Sequence, residues 1–201
     1  MDIQKNNTKA EIRAWLLQVG RKLAAEKGAA FLTARKLSEA SGCSVGTIYN
    51  QFGNMDNFVL EQNVVTLDEL GRVLDEVLPG SDFYRRLNRC VDAYMDWIVN
   101  HKNLWSLLYD FHLRNDNKNL PRGYKRAYLK ICRSWEDDFD RAFGQLSAKE
   151  RKVSRDVLLT AVFATSSFLL MQSTGKVSKK NVCRLLLNTY LAGLEVLKRV
   201  K

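Results

Sequence analysis

The sequence predicts an all-α protein, a small N-terminal module of three helices followed by a larger helical domain. Three observations carry the prediction. Apolar residues recur at spacings of three and four in one segment after another, which is the period of a helix face. Helix-start signatures stand at the head of such segments, as in Thr8-x-x-Glu11 and Ser147-x-x-Glu150. No run keeps the strict alternation of a strand, and no internal repeat is present. With 201 residues, 46% of them hydrophobic, and two prolines, the chain is long enough to bury a substantial core.

The first helix opens at the Thr8–Glu11 capping box, repeats Ile12, Leu16, Val19 and Leu23 on one face, and closes at Lys27-Gly28. Thr33 is the N-cap of the second, whose apolar stripe of Leu37 and Ala40 stops at Gly42, a residue free to take positive φ. Ser44 caps a third helix through Asn50, with Val45, Ile48 and Phe52 spaced so that one edge packs inward. The remaining face holds Gly46, Thr47, Tyr49, Asn50 and Gln51, and no acid. Small residues let a backbone come close to a ligand, while hydroxyls and N-terminal amides bind phosphate that carboxylates would repel. Two helices around a glycine in this way form a helix-turn-helix, whose second helix enters the DNA major groove. The same hairpin serves equally for packing alone, so the flanking chain decides.

Beyond Gly53-Asn54 the helices continue. One runs from Met55 to about Leu78 and ends at Pro79-Gly80; Ser81 caps the next, to about Asn100. An aromatic-rich helix spans Asn103 to Leu113. A polar stretch from Arg114 to Asn119 precedes Pro121, which suits the first turn of a helix to about Phe143. The Ser147–Glu150 pair begins another, apolar from Val153 to Thr174, and Ser178 opens the last, to Val200.

Taken together, I-x(10)-L-x(4)-G-x(3)-LT-x-R-x-L-x(4)-G-x-S-x-GT-I-Y-x-x-F, from Ile12 to Phe52, resembles the DNA-binding domain of the tetracycline-repressor-like (TetR) family of bacterial transcriptional regulators. The resemblance covers about the first sixty residues and implies a DNA-binding domain over 1–54 and a helical ligand-binding and dimerisation domain over 55–201. It implies phosphate contacts for Thr33, Tyr49 and Gln51 and base-edge contacts for Arg35, Val45, Gly46, Thr47 and Asn50, with Ser44 at the same surface. Arg35 is the residue best equipped to read a guanine through a bidentate pair, worth roughly 1–3 kcal/mol of discrimination. Three positions depart from the family pattern. Gln51 replaces the usual histidine and keeps a donor without pH dependence, and Ser38 replaces alanine at a tight crossing. Met55 replaces a lysine, which removes one charged phosphate contact and makes the salt dependence shallower by about one unit.

Charge supports a polyanionic partner only weakly. The formal balance is +10, but residues 1–60 hold eight Lys/Arg against five Asp/Glu, and 61–201 hold twenty-four against seventeen. The polar N-terminus through Asn7 is unlike a signal peptide, and no apolar run is read as long enough to span a bilayer, so a cytoplasmic location without membrane association is expected. Cys43, Cys90, Cys132 and Cys183 are isolated, which indicates buried free thiols rather than zinc or disulfides. Only His101 and His112 are available as histidines. No G-x-S-x-G, H-E-x-x-H or phosphate loop is present, and Glu136-Asp137-Asp138 with Asp140 reads as a surface patch. Neither enzyme activity, metal nor cofactor is expected.

The last two helices are apolar on more than one side, with more such surface than a single core needs. In the resembled family they form a four-helix dimer interface, which implies interface roles for Leu158, Val162, Thr165, Leu169, Leu187, Tyr190, Leu191 and Leu194. A homodimer spaces two reading helices by one DNA turn, about 34 Å, and so calls for a palindromic double-stranded operator. The family also encloses a small-molecule effector pocket. Here Trp97, Leu104, Trp105, Leu108, Tyr109, His112, Trp135, Phe139, Phe163 and Met171 are candidates for its lining, although packing accounts for any one of them. Arg114, Lys118, Arg122, Lys125, Arg126, Lys130 and Arg133, with Asp116 the only acid among them, flank that aromatic group. They form either a solvated face, a means of admitting an anionic, partly apolar effector, or the contact of a helical scaffold with an anionic membrane surface.

Overall fold

The structure is a computed structural model that describes residues 8–77, 82–114, 120–171 and 178–199, with the side chains of residues 134, 135, 171 and 179 left out. Among the described residues there are nine α-helices and no strand: α1 Lys9–Lys27, α2 Ala34–Ser41, α3 Val45–Phe52, α4 Met55–Val77, α5 Phe83–Asn100, α6 Lys102–Arg114, α7 Arg122–Ala142, α8 Ala148–Met171 and α9 Lys179–Arg199. A single 3₁₀ turn, Ala29–Phe31, links α1 to α2. The expected Pro79-Gly80 stop, the Ser81 cap, Asp116, Lys118, Asn119, Thr174 and Val200 lie outside the described residues. At the visible start of α5, Asp82 does the capping, its Oδ1 accepting from Arg85 N at 3.1 Å.

Two compact units share the chain: residues 1–69 with 101–128, and residues 70–100 with 129–201. The division expected at 54/55 falls inside the first unit by contacts, because α4, which begins after the Gly53-Asn54 break, belongs to that unit as far as Glu69.

In the first unit, α1 buries Leu16, Gly20 and Ala24, a strict four-residue repeat, and packs against α2, α3 and α6, which bury Leu37, Phe52, and Leu104 with Trp105 and Leu108, in turn, while Gly20 lies against Phe58 of α4. Gly20 permits close approach: a Cβ there would stand 2.3 Å from Phe58 Cζ. A buried polar strip on α4 ties the bundle. Gln62 Nε2 donates to Leu17 O at 2.7 Å, Asn63 Nδ2 to Leu107 O at 3.5 Å, and Thr66 Oγ1 to Gln62 O at 3.0 Å. Arg21 completes it by donating to Thr66 Oγ1 and pairing with Glu69. Two sequence expectations need correction here. Ala40 is exposed, because the buried side of α2 is Ala34, Leu37 and Ser41, and Val45 stands exposed while Ile48 and Phe52 alone carry the inward edge of α3.

The second unit gathers Leu87, Val91 and Met95 of α5, Phe139 of α7, Phe143, Leu146, Leu158 of α8 and Cys183, Leu187, Leu191 and Leu194 of α9 into one core. Ser147 and Glu150 form the expected capping box, with Ser147 N donating to Glu150 Oε2 at 2.8 Å and Glu150 N to Ser147 Oγ at 3.3 Å. Arg86 and Asp138 make a half-buried ion pair at 2.6 Å. Four of the expected interface residues, Leu158, Leu187, Leu191 and Leu194, are consumed in this core, so they are not surface residues of the unit. The apolar side chains left exposed are instead Val153, Val157 and Phe168 on α8 and Leu185, Val196 and Leu197 on α9. Contrary to the sequence expectation, Ala148–Leu170 is long and apolar enough to cross a membrane, by length and composition. Its charged residues, Lys149 to Lys152 with Arg155 and Asp156, all crowd its first turns and leave the run beyond them without a charge.

Candidate nucleic-acid interface

The interface is assembled from local signals that the chain obeys. Thr33 takes extended backbone and accepts from Lys36 N at 3.3 Å, starting α2. Gly42, at φ 73°, turns the chain in a left-handed conformation that a side chain would strain. Ser44 then starts α3, accepting from Thr47 N at 3.0 Å, with the Thr47 hydroxyl 2.9 Å from the Ser44 hydroxyl. Ser38, the departure from the family's alanine, donates to Cys43 O at 2.7 Å and so ties the turn between the two helices.

Behind the surface, α3 is anchored by Ile48 and by Phe52, whose ring meets Phe58 edge-on at 4.8 Å between centroids. Arg13 of α1 adds a clamp that sequence reading missed. It donates to the carbonyl of Gln51, pairs with Glu61 of α4, and lies over the Phe52 ring at 4.4 Å. A cation on the last carbonyls of a helix is favourable both as a hydrogen bond and against the helix dipole. Nothing local marks Arg13 for this, since its partners lie 38 and 48 residues away.

Of the nine expected DNA-contacting residues, Thr33, Arg35, Ser44, Val45, Gly46, Tyr49 and Asn50 are exposed, and Thr47 is half-buried. They stand on the outward side of α2 and α3, with no acid on the α3 face. Gln51 differs: it is half-buried and its Oε1 is buried without a partner among the described residues. Glu39, also missed, engages Arg35 and Lys36 on α2. Those two hydrogen bonds, Lys36 first, hold its carboxyl below the usual range.

The geometry can present hydroxyls, an amide and a guanidinium to a polyanion. Residues 16–61 match the family described as bacterial regulatory proteins, tetR family. The N-terminal helices are a TetR-family domain. The fold of the whole chain agrees. A TetR-family transcriptional regulator from Thermus thermophilus, PfmR, shares 16% identity, with 88% of this chain and 97% of that chain covered and a TM-score of 0.64. The regulator FadR from Bacillus subtilis, solved with stearoyl-CoA, shares 14% identity over 90% of this chain and 98% of that chain, at a TM-score of 0.70. A Rhodococcus sp. RHA1 protein of unknown function aligns over 96% and 98%, at 14% identity and a TM-score of 0.75. No curated protein matches the chain in sequence. The molecule thus has the TetR-regulator fold with the family's DNA-binding domain at residues 16–61.

The residues named for an effector pocket are distributed over both units of the chain. Trp105 and Leu108 are buried in the first unit, where Trp105 stacks on Tyr109 at 4.9 Å and His112 Nε2 meets the Tyr124 hydroxyl at 2.8 Å. Burial lowers the His112 pKa. In the second unit, Trp97 is buried, Phe163 is half-buried, and Phe139 is fully buried against Phe143 at 4.8 Å, a core residue rather than a lining one. The side chains of Trp135 and Met171 lie outside the described residues. Cys43, Cys132 and Cys183 are buried, and burial pushes the half-buried Cys90 thiol up to about 11, away from the reactive thiolate.

Proposed function

We propose that this protein is a dimeric, ligand-responsive transcriptional repressor that reads a palindromic operator, with DNA binding in residues 1–54 and ligand binding and dimerisation in 55–201. The observation that carries the reading is the outward face of α3. Val45, Gly46, Tyr49 and Asn50 are exposed together with no acid among them, directly behind a capped helix N-terminus. Gly46 supports it further: a Cβ there would meet only Ser44 Oγ, at 3.7 Å, so the chain's own packing does not demand a glycine. Close approach of an outside partner does.

Dimerisation is supported by the exposed stripes of α8 and α9, Val153, Val157 and Phe168 with Leu185 and Val196, which a second copy would cover. The effector we propose is an anionic, partly apolar molecule such as a long-chain acyl-CoA. The exposed basic residues Arg122 and Arg126 of α7, in the unit that holds Trp105, Tyr109 and His112, favour an anion, and the FadR of Bacillus subtilis, of like fold, was solved with stearoyl-CoA. Such a ligand releases DNA only if it binds the released form more tightly.

Selection of bound duplexes from random DNA tests the reading. The wild type is expected to enrich one palindrome, and Thr47→Ala and Tyr49→Ala are expected to enrich none while remaining folded and dimeric. Affinity surviving both changes would place the surface elsewhere. Stearoyl-CoA is expected to displace the selected duplex; displacement by a neutral amine alone would refute the anionic effector.

A further inference from the structure

Three charged side chains on the outward face of α2 act as one group. Arg35 and Lys36 occupy the first turn, and Glu39 follows them at four and three residues. Its carboxylate is divided between them: Arg35 Nε donates to Oε1 at 3.0 Å and Lys36 Nζ to Oε2 at 2.9 Å. The Arg35 side chain is 87% exposed, so the pairing adds little to folding. What it changes is the form in which Arg35 meets a partner. With Nε engaged, the guanidinium keeps its end-on fork of Nη1 and Nη2, which has no partner among the described residues. The carboxylate also holds the plane of that fork. A fork already oriented loses less rotamer freedom when it pairs with O6 and N7 of a guanine.

The second effect is one of charge. Arg35 and Lys36 stand beside the Thr33 cap, where any phosphate of any sequence would attract them. With Glu39 between them the trio carries one net positive charge instead of two, and a phosphate approaching Arg35 Nε or Lys36 Nζ must displace a carboxylate.

We propose that Glu39 is a specificity-determining positioning residue: it presents the Arg35 fork for base reading and withholds Arg35 and Lys36 from sequence-independent phosphate binding. The inference rests on the reading of α2 and α3 as a DNA-binding surface.

Two substitutions separate the roles. Glu39→Gln removes the charge and leaves an amide oxygen for Arg35 Nε, whereas Glu39→Ala removes both. Each is measured with the full chain on the duplex that the wild type selects from random DNA, on its single-base-pair variants, and on a scrambled duplex, across a salt series. In both variants, binding to the scrambled duplex is expected to rise about three- to tenfold, and log affinity to fall more steeply with log salt by about 0.9 to 1.8, equivalent to one or two further phosphates. Preference at one base pair, the pair whose discrimination is also lost in Arg35→Ala, is expected to fall about five- to tenfold in Glu39→Ala and less in Glu39→Gln. An unchanged salt slope in both variants, or an unchanged preference at that pair in Glu39→Ala, overturns the proposal. So does equal weakening on every duplex, the signature of a residue that merely stabilises α2. A wild type that enriches no sequence defeats the DNA-reading surface itself; one that enriches a sequence while the Glu39 variants behave like it defeats only the role of Glu39.

Discussion

Gly20 shows how much one side chain can decide in this chain. An added Cβ would stand 2.3 Å from Phe58 Cζ and 2.8 Å from Cε1, and Phe58 is itself fully buried against Phe52, so the ring has no room to withdraw. Gly20→Ala is expected to destabilise the protein by about 1–3 kcal/mol, read as a lower urea midpoint; an unchanged midpoint would mean that α1 and α4 part more easily than their packing implies. His112 makes a second prediction. Burial lowers its pKa in the folded state, with the Tyr124 hydroxyl at Nε2 and the Tyr128 ring beside it. Well above the unfolded-state pKa of about 6.5 both folded and unfolded chains hold it neutral, and it adds no pH dependence. As pH falls from there through the folded pKa, the unfolded chain takes the proton first and stability declines. His112→Gln is therefore expected to lose less stability than the wild type between about pH 7.5 and 5.5. Equal losses in urea titrations at both pH values would exclude His112 as the titrating group. Neither residue was legible in the sequence. Gly20 lacks any turn signal, and a lone histidine in an aromatic helix says nothing about its desolvation.

At the scale of elements, the ends were legible and the faces only partly so. Thr8, Thr33, Ser44 and Ser147 cap the helices expected of them, and Gly42 turns where expected, because a cap is settled within three or four residues. A buried face depends on what lies against it. Ala40 and Val45 have the right period and the wrong neighbours, and both stand in solvent. The pairing of Glu39 with Arg35 and Lys36 was readable from its spacing; the Arg13 clamp on α3 was not. The reading helix itself offers a test in which fold and function separate. Gly46 has no packing need for its missing Cβ, so Gly46→Ala is expected to leave thermal stability unchanged or raise it by up to about 1 kcal/mol. The same change is expected to weaken binding of the selected duplex. A destabilised variant, or one that binds DNA as well as the wild type, would show that Gly46 serves α3 and not an approaching groove.

At the scale of the molecule, α8 and α9 are each apolar on two sides, and periodicity could not say which side faces inward. The core took Leu158, Leu187, Leu191 and Leu194 and left Val153, Val157, Phe168, Leu185 and Val196 outside. Val157→Asp with Phe168→Asp is expected to yield a folded monomer by sedimentation. Leu158→Ala is expected to cost about 2–5 kcal/mol of stability without preventing association of the folded fraction. If the double variant remained dimeric, the exposed stripe would belong to another partner, and capture of the wild type by anionic vesicles through α8 would name it. The composition of the first unit bears on engineering. Phe58, Gln62, Asn63 and Thr66 of α4 and Leu104, Trp105 and Leu108 of α6 are buried in the unit that carries the helix-turn-helix. A reading head excised at residue 54 to build a chimaeric regulator would leave behind Phe58, which packs on Gly20 and Phe52, and the α6 helix that α1 packs against. A graft that respects the contacts needs three crossovers, after residues 69, 100 and 128, because the portable module is made of two separate stretches of chain.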